Sequence, residues 1–399
     1  MKIFKTKVHT LIKGKRCDLH SCLRHTMRVA RYAGAFPVEG LGYPTAAKIR
    51  YNLKSVYGLY FCSLLIGQIT LLLCYFILFF SAILLFFSTC LISLLLLLTL
   101  AKRWPKLMVT AAETEESLNE MRITKFTAMK INVISYIIMA LAIVEHLCSL
   151  NFKISYEQLL RKRFFYVFNI LPYNIWIGSL WFVLQATIVW VFADLLTICF
   201  SIYVTAYFDN INKTSTRWGD LRAHYSRLVL LVQEINHHIS GFILLSLFTN
   251  LIFICIQMFN SLHIERLVGG FLAALKSPTS LIFYLYSVLF LVVRTLMMYL
   301  CAANVHSAAQ RPIVALFELP ASVYDMEVKR FQYQIQYTTV GLCGYFFIVT
   351  RSMILKVIST IITYELVLLQ FNRPGTINAT LIDEQNGFYN ITNTVPPGH

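Results

Sequence analysis

Long apolar runs that alternate with short basic segments form the main pattern of this chain. Between Lys54 and Lys102 no Lys, Arg, Asp or Glu occurs, and these 47 residues are long enough for two membrane-spanning helices joined by a tight turn. Further apolar runs lie near residues 131–150, 175–205, 240–261, 279–303 and 354–371. The pattern therefore predicts an all-α polytopic membrane protein with seven transmembrane helices.

The apolar run Tyr337–Thr350 is shorter than the others and contains Gly341 and Gly344. Runs of about 10–14 apolar residues more often form re-entrant or protein-buried segments than complete membrane crossings. We expect this run to lie on the cytosolic side, at the end of a cytosolic segment, 304–350, that precedes the last helix, 352–371.

Basic residues are distributed unevenly among the predicted connections. With the N-terminus inside, the cytosolic segments contain 25 Lys and Arg residues and the external segments contain 7, which predicts a cytosolic N-terminus and an extracellular C-terminus. No apolar stretch typical of a cleaved signal peptide occurs in residues 1–54. The chain thus divides into a cytosolic basic segment, 1–54, a seven-helix domain, 55–371, and an extracellular tail, 372–399, in which Asn378 and Asn390 are glycosylation sequons.

Composition supports this class of protein. Hydrophobic residues make up 57% and charged residues 14%, with a mean hydropathy of +0.64, whereas soluble domains contain roughly 25% charged residues. The net charge of +16 is concentrated beside the predicted spans, where the positive-inside bias and attraction to anionic inner-leaflet lipids explain it. Membrane lipid is therefore an expected partner and nucleic acid is not.

Motifs for catalysis or metal binding are not found in the sequence. It contains no GxxxxGK[ST], HExxH or GxSxG pattern. Cys17, His20, Cys22 and His25 superficially resemble a zinc cluster, but their spacing fits no common zinc finger and the stretch is typical of a basic amphipathic helix. We predict that the protein is not an enzyme and binds no metal or cofactor, and the lack of an internal repeat argues against a secondary transporter.

The last apolar run has one mainly polar face. At 100° per residue, this face contains Ser352, Lys356, Ser359, Thr363, Leu366 and Gln370. Tyr364 and Glu365 point away from it, towards the rest of the subunit. Because unsatisfied polar groups cost several kcal/mol in lipid, the polar face must meet protein or water. It is either a seam buried within one bundle or a pore wall completed by symmetric copies of the helix.

The same run contains a family signature. Residues 363–371, TYELVLLQF, match the Thr-Tyr, five mainly hydrophobic residues, Gln-Phe pattern in the last span of insect gustatory receptors. Glu365 directly after Thr-Tyr resembles the variant typical of their sugar-receptor clade. The stretches RVARYAGAFPVEGL, AKRWPKLM and EVKRFQYQI are also similar to that clade, so the resemblance includes both ends and the middle of the chain.

This resemblance implies a ligand-gated, non-selective cation channel that assembles as a homo- or heterotetramer in the plasma membrane of sensory neurons. The last helix of each subunit would line the pore, with Gln370 and Phe371 near the external end as a candidate gate and Ser359, Thr363 and Leu366 further along the wall. Tyr364 and Glu365 would then act in gating or in the internal structure of the subunit.

A sugar pocket needs aromatic surfaces together with amide or carboxylate partners. The outer halves of the predicted spans supply both types, and the candidates are Glu145, His146, Trp176, Trp181, Gln185, Gln257, Asn260, Tyr284 and Tyr286. Tyr and Trp residues near span ends also serve as interfacial anchors, and Glu145 could equally be a satisfied structural acid. An ion pair between Asp194 and Arg294, which both lie towards the cytosolic side, is conceivable.

Two other functions remain as alternatives. One is a receptor subunit that responds only together with related partner subunits. The other is a seven-helix receptor that signals through a G protein, and the predicted cytosolic N-terminus counts against it.

Overall fold

The computed structural model describes residues 17–43, 48–77, 81–118, 123–168, 173–211, 217–267 and 278–371. For 149–168, 173–180, 259–267 and 278–281, among other positions near helix ends, only the backbone is described. The helices are α1 Leu19–Tyr32, α2 Val56–Ile77, α3 Ser81–Ser117, α4 Lys125–Phe168, α5 Tyr173–Ile211, α6 Trp218–Leu267, α7 Pro278–Gln310, α8 Pro312–Phe317, α9 Met326–Tyr337 and α10 Arg351–Phe371. The strands are β1 Val38–Glu39, β2 Arg50–Tyr51, β3 Cys343–Gly344 and β4 Phe347–Ile348.

The predicted membrane helices correspond to α2–α7 and α10. Within the described residues, α2 to α7 are each long and apolar enough to cross a membrane, and α10 forms a continuous helix of 21 residues at the seventh predicted position. The all-α polytopic fold predicted from the apolar runs is therefore confirmed.

Several helices are much longer than a membrane is thick. Helix α6 has 50 residues, which at 1.5 Å per residue corresponds to about 75 Å, whereas the hydrocarbon core is about 30 Å thick. The helices continue because apolar residues keep a helical spacing inside the charged segments, and Trp104, Tyr207 and Tyr225 are fully buried there. The predicted cytosolic connections 102–130 and 207–239 are thus mostly helical and share the core of the membrane bundle.

Helix α5 is the central helix of the bundle, and it packs against α3, α4, α6 and α7. Residues 191–201 of α5 are all buried. A helix that is surrounded by other helices needs apolar residues on every side, and the sequence of α5 satisfies this requirement over most of its length.

The described residues 17–43 of the N-terminal segment form part of the same bundle. Helix α1 packs against α4 and α5 through a face that includes Leu19, Cys22 and Met27. Its first backbone N–H, at Leu19, donates a hydrogen bond of 2.7 Å to the buried carboxylate of Glu115 in α3, a favourable position for a negative charge at a helix N-terminus. The stretch CDLHSCLRH is therefore the start of a docked amphipathic helix.

The short apolar run Tyr337–Thr350 does not form a membrane helix. Strands β3 and β4 form a small antiparallel hairpin, with Gly344 opposite Phe347, and they lie against α6. The side chain of Asn236 in α6 donates to the Gly341 carbonyl at 2.8 Å and accepts from the Cys343 N–H at 3.2 Å. This hairpin connects α9 to α10 and sets the position at which the last helix begins.

Candidate ligand pocket and pore helix

Polar side chains from α4, α6 and α7 meet in the half of the bundle that the sequence predicts to be external. Ser287 donates a hydrogen bond of 2.7 Å to the Glu145 carboxylate, and the Gln257 amide approaches the Ser287 hydroxyl at 3.4 Å. The Tyr284 hydroxyl donates to the Gln257 backbone carbonyl. We call Glu145, Gln257, Tyr284 and Ser287 the outer polar cluster. Three of its members are candidates from the sequence, and Ser287 is an additional residue that the sequence did not indicate.

The other pocket candidates lie at different places around this cluster. His146 is buried, and its Nδ1 lies 3.2 Å from the Thr187 hydroxyl. Tyr286 donates a hydrogen bond of 2.8 Å to the Leu141 carbonyl. Gln185 is buried and accepts a 2.7 Å hydrogen bond from Gln68 of α2.

Trp181 is 45% exposed on α5, as an interfacial anchor would be. The side chains of the remaining two pocket candidates, Trp176 and Asn260, lie outside the described residues.

A buried ion pair lies deeper in the bundle than the outer polar cluster. Arg294 Nε of α7 is 3.0 Å from Asp194 Oδ2 of α5, and both side chains are 1% exposed. Asn250 of α6 donates to both carboxylate oxygens at 3.2 Å, and the Arg294 guanidinium lies 4.4 Å from the ring centre of Trp190. The ion pair considered from the sequence is therefore present, and it joins α5, α6 and α7 about 10 Å along α7 from Ser287.

Helix α10 contacts α6 and α7 through only one of its faces. Ile354 and Glu365 are buried on this side. On the opposite side Ser359, Thr363 and Gln370 are exposed, and Leu366 is 54% exposed. The polar stripe is thus not buried among the described residues of a single chain, because it lies about 140° around the helix from the packed face.

Glu365 is the most unusual residue of α10. Its side chain is 5% exposed and lies close to Cys255 of α6, and neither carboxylate oxygen has a hydrogen-bond partner among the described residues. A buried polar group without a partner costs about 1–3 kcal/mol, and more if it is charged. The contact between α10 and α6 therefore contains an energetically unfavourable group. Of the remaining pore candidates, Tyr364 is 49% exposed and the side chain of Phe371 lies outside the described residues.

The fold is similar to that of a solved receptor. The insect olfactory receptor OR5 from Machilis hrabei aligns with 89% of this chain and 100% of its own length, with a TM-score of 0.66 and 14% sequence identity. This similarity defines the chain as a multi-pass membrane protein with the fold of that receptor.

The sequence comparisons identify the family. The chain matches the trehalose receptor family over residues 13–380, and it belongs to this family. The gustatory receptor for sugar taste 64f of Drosophila melanogaster is 28% identical over 316 residues, which cover 72% of this chain and 65% of the relative. Gustatory receptor 5a for trehalose, of the same organism, is 26% identical over 307 residues, which cover 69% and 66%. The chain spans slightly less than two thirds of both relatives.

These matches confirm the resemblance to the sugar-receptor clade that residues 363–371 indicated. The family and these relatives are named as receptors, in agreement with the prediction that the chain is not an enzyme.

Proposed function

We propose that this chain is a subunit of a sugar-gated, non-selective cation channel in the plasma membrane of sensory neurons, in which α10 of each subunit lines a shared pore. The observation that carries this proposal is the polar stripe of α10. Ser359, Thr363 and Gln370 are exposed on the single chain, opposite the face that packs on α6 and α7. A polar stripe on a membrane helix requires water or protein, and a pore at the axis of a symmetric assembly provides both.

The proposed assembly is a homotetramer or a heterotetramer with related receptor subunits. Flanking the polar stripe, Leu355, Ile362 and Val367 of α10 are exposed apolar residues. These side chains would contact the neighbouring subunits or lipid, while the stripe faces the permeating cations. Gln370 would form a narrow polar ring near the external end, where Phe371 of each subunit lies beside it.

The outer polar cluster is the proposed sugar site. Sugar hydroxyl groups pair well with a carboxylate and an amide, and Glu145 of α4 and Gln257 of α6 present both from helices that each pack against α7. The 3.4 Å separation between Gln257 and Ser287 is longer than an ordinary hydrogen bond, so a ligand hydroxyl could replace this weak contact at little cost. The named functions of the relatives, sugar taste and trehalose, fit this chemistry.

Helix α6 offers a direct connection between this site and the pore helix. Gln257 belongs to the outer polar cluster, and Cys255, two residues away on the same helix, lies close to Glu365 of α10. Positions two apart in a helix point in nearly opposite directions. If α6 rotates or tilts when sugar binds, it would therefore displace α10 at the position of Glu365.

The proposed orientation places the N-terminus in the cytosol and the tail with Asn378 and Asn390 outside. A tag before Met1 should be accessible only after permeabilisation, whereas a tag after His399 should be accessible on intact cells. Staining of the N-terminal tag on intact cells would contradict this orientation and the channel architecture that depends on it.

The function is tested by expressing the chain alone and recording whole-cell current during application of a panel of sugars. A rapid cation current that follows the sugar and needs no G-protein signalling supports the proposal. A current that appears only after co-expression of related receptors identifies the chain as an obligate heteromer subunit. A response that is abolished by blocking G-protein signalling would refute the channel mechanism.

A further inference from the structure

Basic residues gather where α1, the β1–β2 pair and the start of α2 meet. The described residues between 17 and 54 contain six of them, Arg24, Arg28, Arg31, Lys48, Arg50 and Lys54, which we call the basic corner. The same stretch contains only two acidic residues, Asp18 and Glu39. The corner therefore has a local excess of four positive charges.

The structure holds these side chains together. Arg24, Arg28 and Arg31 share one face of α1 by their spacing. Arg28 donates a hydrogen bond of 3.1 Å to the Gly42 carbonyl, and the Lys48 ammonium lies 4.5 Å from the ring centre of Tyr43. These contacts place Gly42 beside α1, and Lys48, which lies just before β2, beside Tyr43.

The basic corner lies at the start of an apolar helix. Lys54 is exposed and precedes by two residues Val56, the first residue of α2, which is 80% exposed. Arg31 stacks on Tyr57 in the first turn of α2, with 4.5 Å between the guanidinium carbon and the ring centre. Tyrosine and exposed apolar side chains of this kind are typical of the membrane interface, so the corner faces the headgroup region of the membrane.

The cations of the corner have no acidic partners within the described part of the chain. Elsewhere on the cytosolic side, Arg222, Arg311 and Arg330 each form an ion pair with Asp or Glu. None of the six corner residues forms one among the described residues. In the basic corner, the guanidinium groups of Arg28 and Arg31 are held in place by neighbouring residues. The buried Nε donors of Arg24, Arg28 and Arg31 have no acceptor among the described residues.

We propose that the basic corner binds the phosphorylated inositol headgroup of a cytosolic-leaflet phosphoinositide and thereby holds α1 and α2 at the membrane surface. Guanidinium groups pair well with phosphate oxygens, often through two parallel hydrogen bonds. Juxtamembrane groups of four to eight Lys and Arg residues attract such lipids. A multiply charged headgroup matches the local excess of four charges better than a phosphatidylserine headgroup, which has one net negative charge. This inference depends on the proposed cytosolic N-terminus.

The test measures lipid binding to the purified full-length receptor in detergent by microscale thermophoresis. The ligands are short-chain phosphatidylinositol bisphosphate, short-chain phosphatidylserine and soluble inositol trisphosphate. The corner variant Arg28→Gln/Lys54→Gln is compared with the matched variant Arg217→Gln/Lys329→Gln, which removes two exposed cytosolic charges outside the corner. Only variant preparations that elute from size-exclusion chromatography at the same volume as the wild-type receptor are used, so that misfolded protein is excluded.

We expect the bisphosphate lipid to bind the wild-type and the matched variant equally, and the corner variant at least about tenfold more weakly, because each basic residue near a membrane surface contributes about a threefold to tenfold effect. Equal binding by both variants would overturn the proposal. Equal affinity for phosphatidylserine would show general attraction to anionic lipid, and equal affinity for inositol trisphosphate would show a site for a soluble anion; either result overturns it.

Failure of the sugar recordings leaves these binding measurements unaffected, so the two proposals fail separately. The orientation is read from the terminal tags, which do not depend on lipid binding.

Discussion

The buried ion pair between Asp194 and Arg294 provides a quantitative test of the bundle. Replacing Asp194 by Leu leaves the guanidinium at 1% exposure without its counter-ion, and Asn250 loses both of its carboxylate acceptors. Breaking one side of a buried pair costs about 3–5 kcal/mol. With an unfolding entropy of about 2.1 cal/mol/K per residue, a chain of 399 residues should then unfold about 4–6 °C lower.

The double variant Asp194→Leu/Arg294→Met removes both charges. It should recover most of the lost stability, because apolar side chains of similar volume replace a buried pair at little cost. The stacking of Arg294 on Trp190, worth about 0.5–2 kcal/mol, and the hydrogen bonds of Asn250 to the Asp194 carboxylate are not restored. Asp209→Leu is the matched control, since the Asp209 and Arg311 side chains are 33% and 55% exposed and exposed pairs contribute at most about 1 kcal/mol.

Thermal unfolding of the detergent-solubilised receptor, followed by fluorescence-detected size exclusion, measures all four variants under the same conditions: Asp194→Leu, Arg294→Met, their combination and Asp209→Leu. We expect the two single core variants to be least stable and the control to be close to wild type. If Asp194→Leu lowers the unfolding temperature no more than Asp209→Leu does, the buried pair is not a structural link between α5, α6 and α7.

The remaining predictions concern the ligand and gating. Glu145→Gln should shift the sugar dose–response curve about tenfold or more to higher concentration, because a charge-assisted hydrogen bond is worth about 1.5–3 kcal/mol, while Tyr286→Phe should leave it nearly unchanged; equal curves for Glu145→Gln and wild type would refute this site. Glu365→Gln removes the carboxylate but keeps the shape of the side chain. Because Glu365 lies on the face of α10 that packs against the bundle, this change should alter the open probability but not the reversal potential in mixed cation solutions. A changed reversal potential would instead place Glu365 in the conduction path.

The existence of the helices was predictable from the sequence, because long apolar runs with at most two charged residues have few structural alternatives. Helix length was not, since hydropathy falls where α3, α5 and α6 leave the membrane. In these parts the helices pack through isolated buried aromatic residues such as Trp104 and Tyr225. The charged residues between them obscure the helical periodicity of the buried positions in the sequence. The β3–β4 hairpin was similarly hidden, although Gly341 and Gly344 correctly argued against a span.

Parts of the candidate site followed from simple geometry. The 100° spacing placed Glu365 and Gln370 on different sides of α10, and the structure gives them different environments. The partner of Glu145 could not be found this way, because serines are common in membrane helices and Ser287 becomes distinct only when α4 and α7 are placed side by side. The pairing of Gln68 with Gln185 likewise depends on helix rotations that the sequence does not encode locally.

Whether the polar stripe of α10 faces a conduction path is tested most directly by cysteine accessibility. Thr363→Cys, Leu366→Cys and Gln370→Cys receptors are opened with sugar and exposed to a charged, water-soluble thiol reagent, with the unmodified receptor as the control for native cysteines. We expect progressive block of current in these three variants and much less block in Tyr364→Cys and Glu365→Cys. Equal modification on all sides of the helix, or a pattern centred on position 365, would contradict this expectation and place the pore elsewhere.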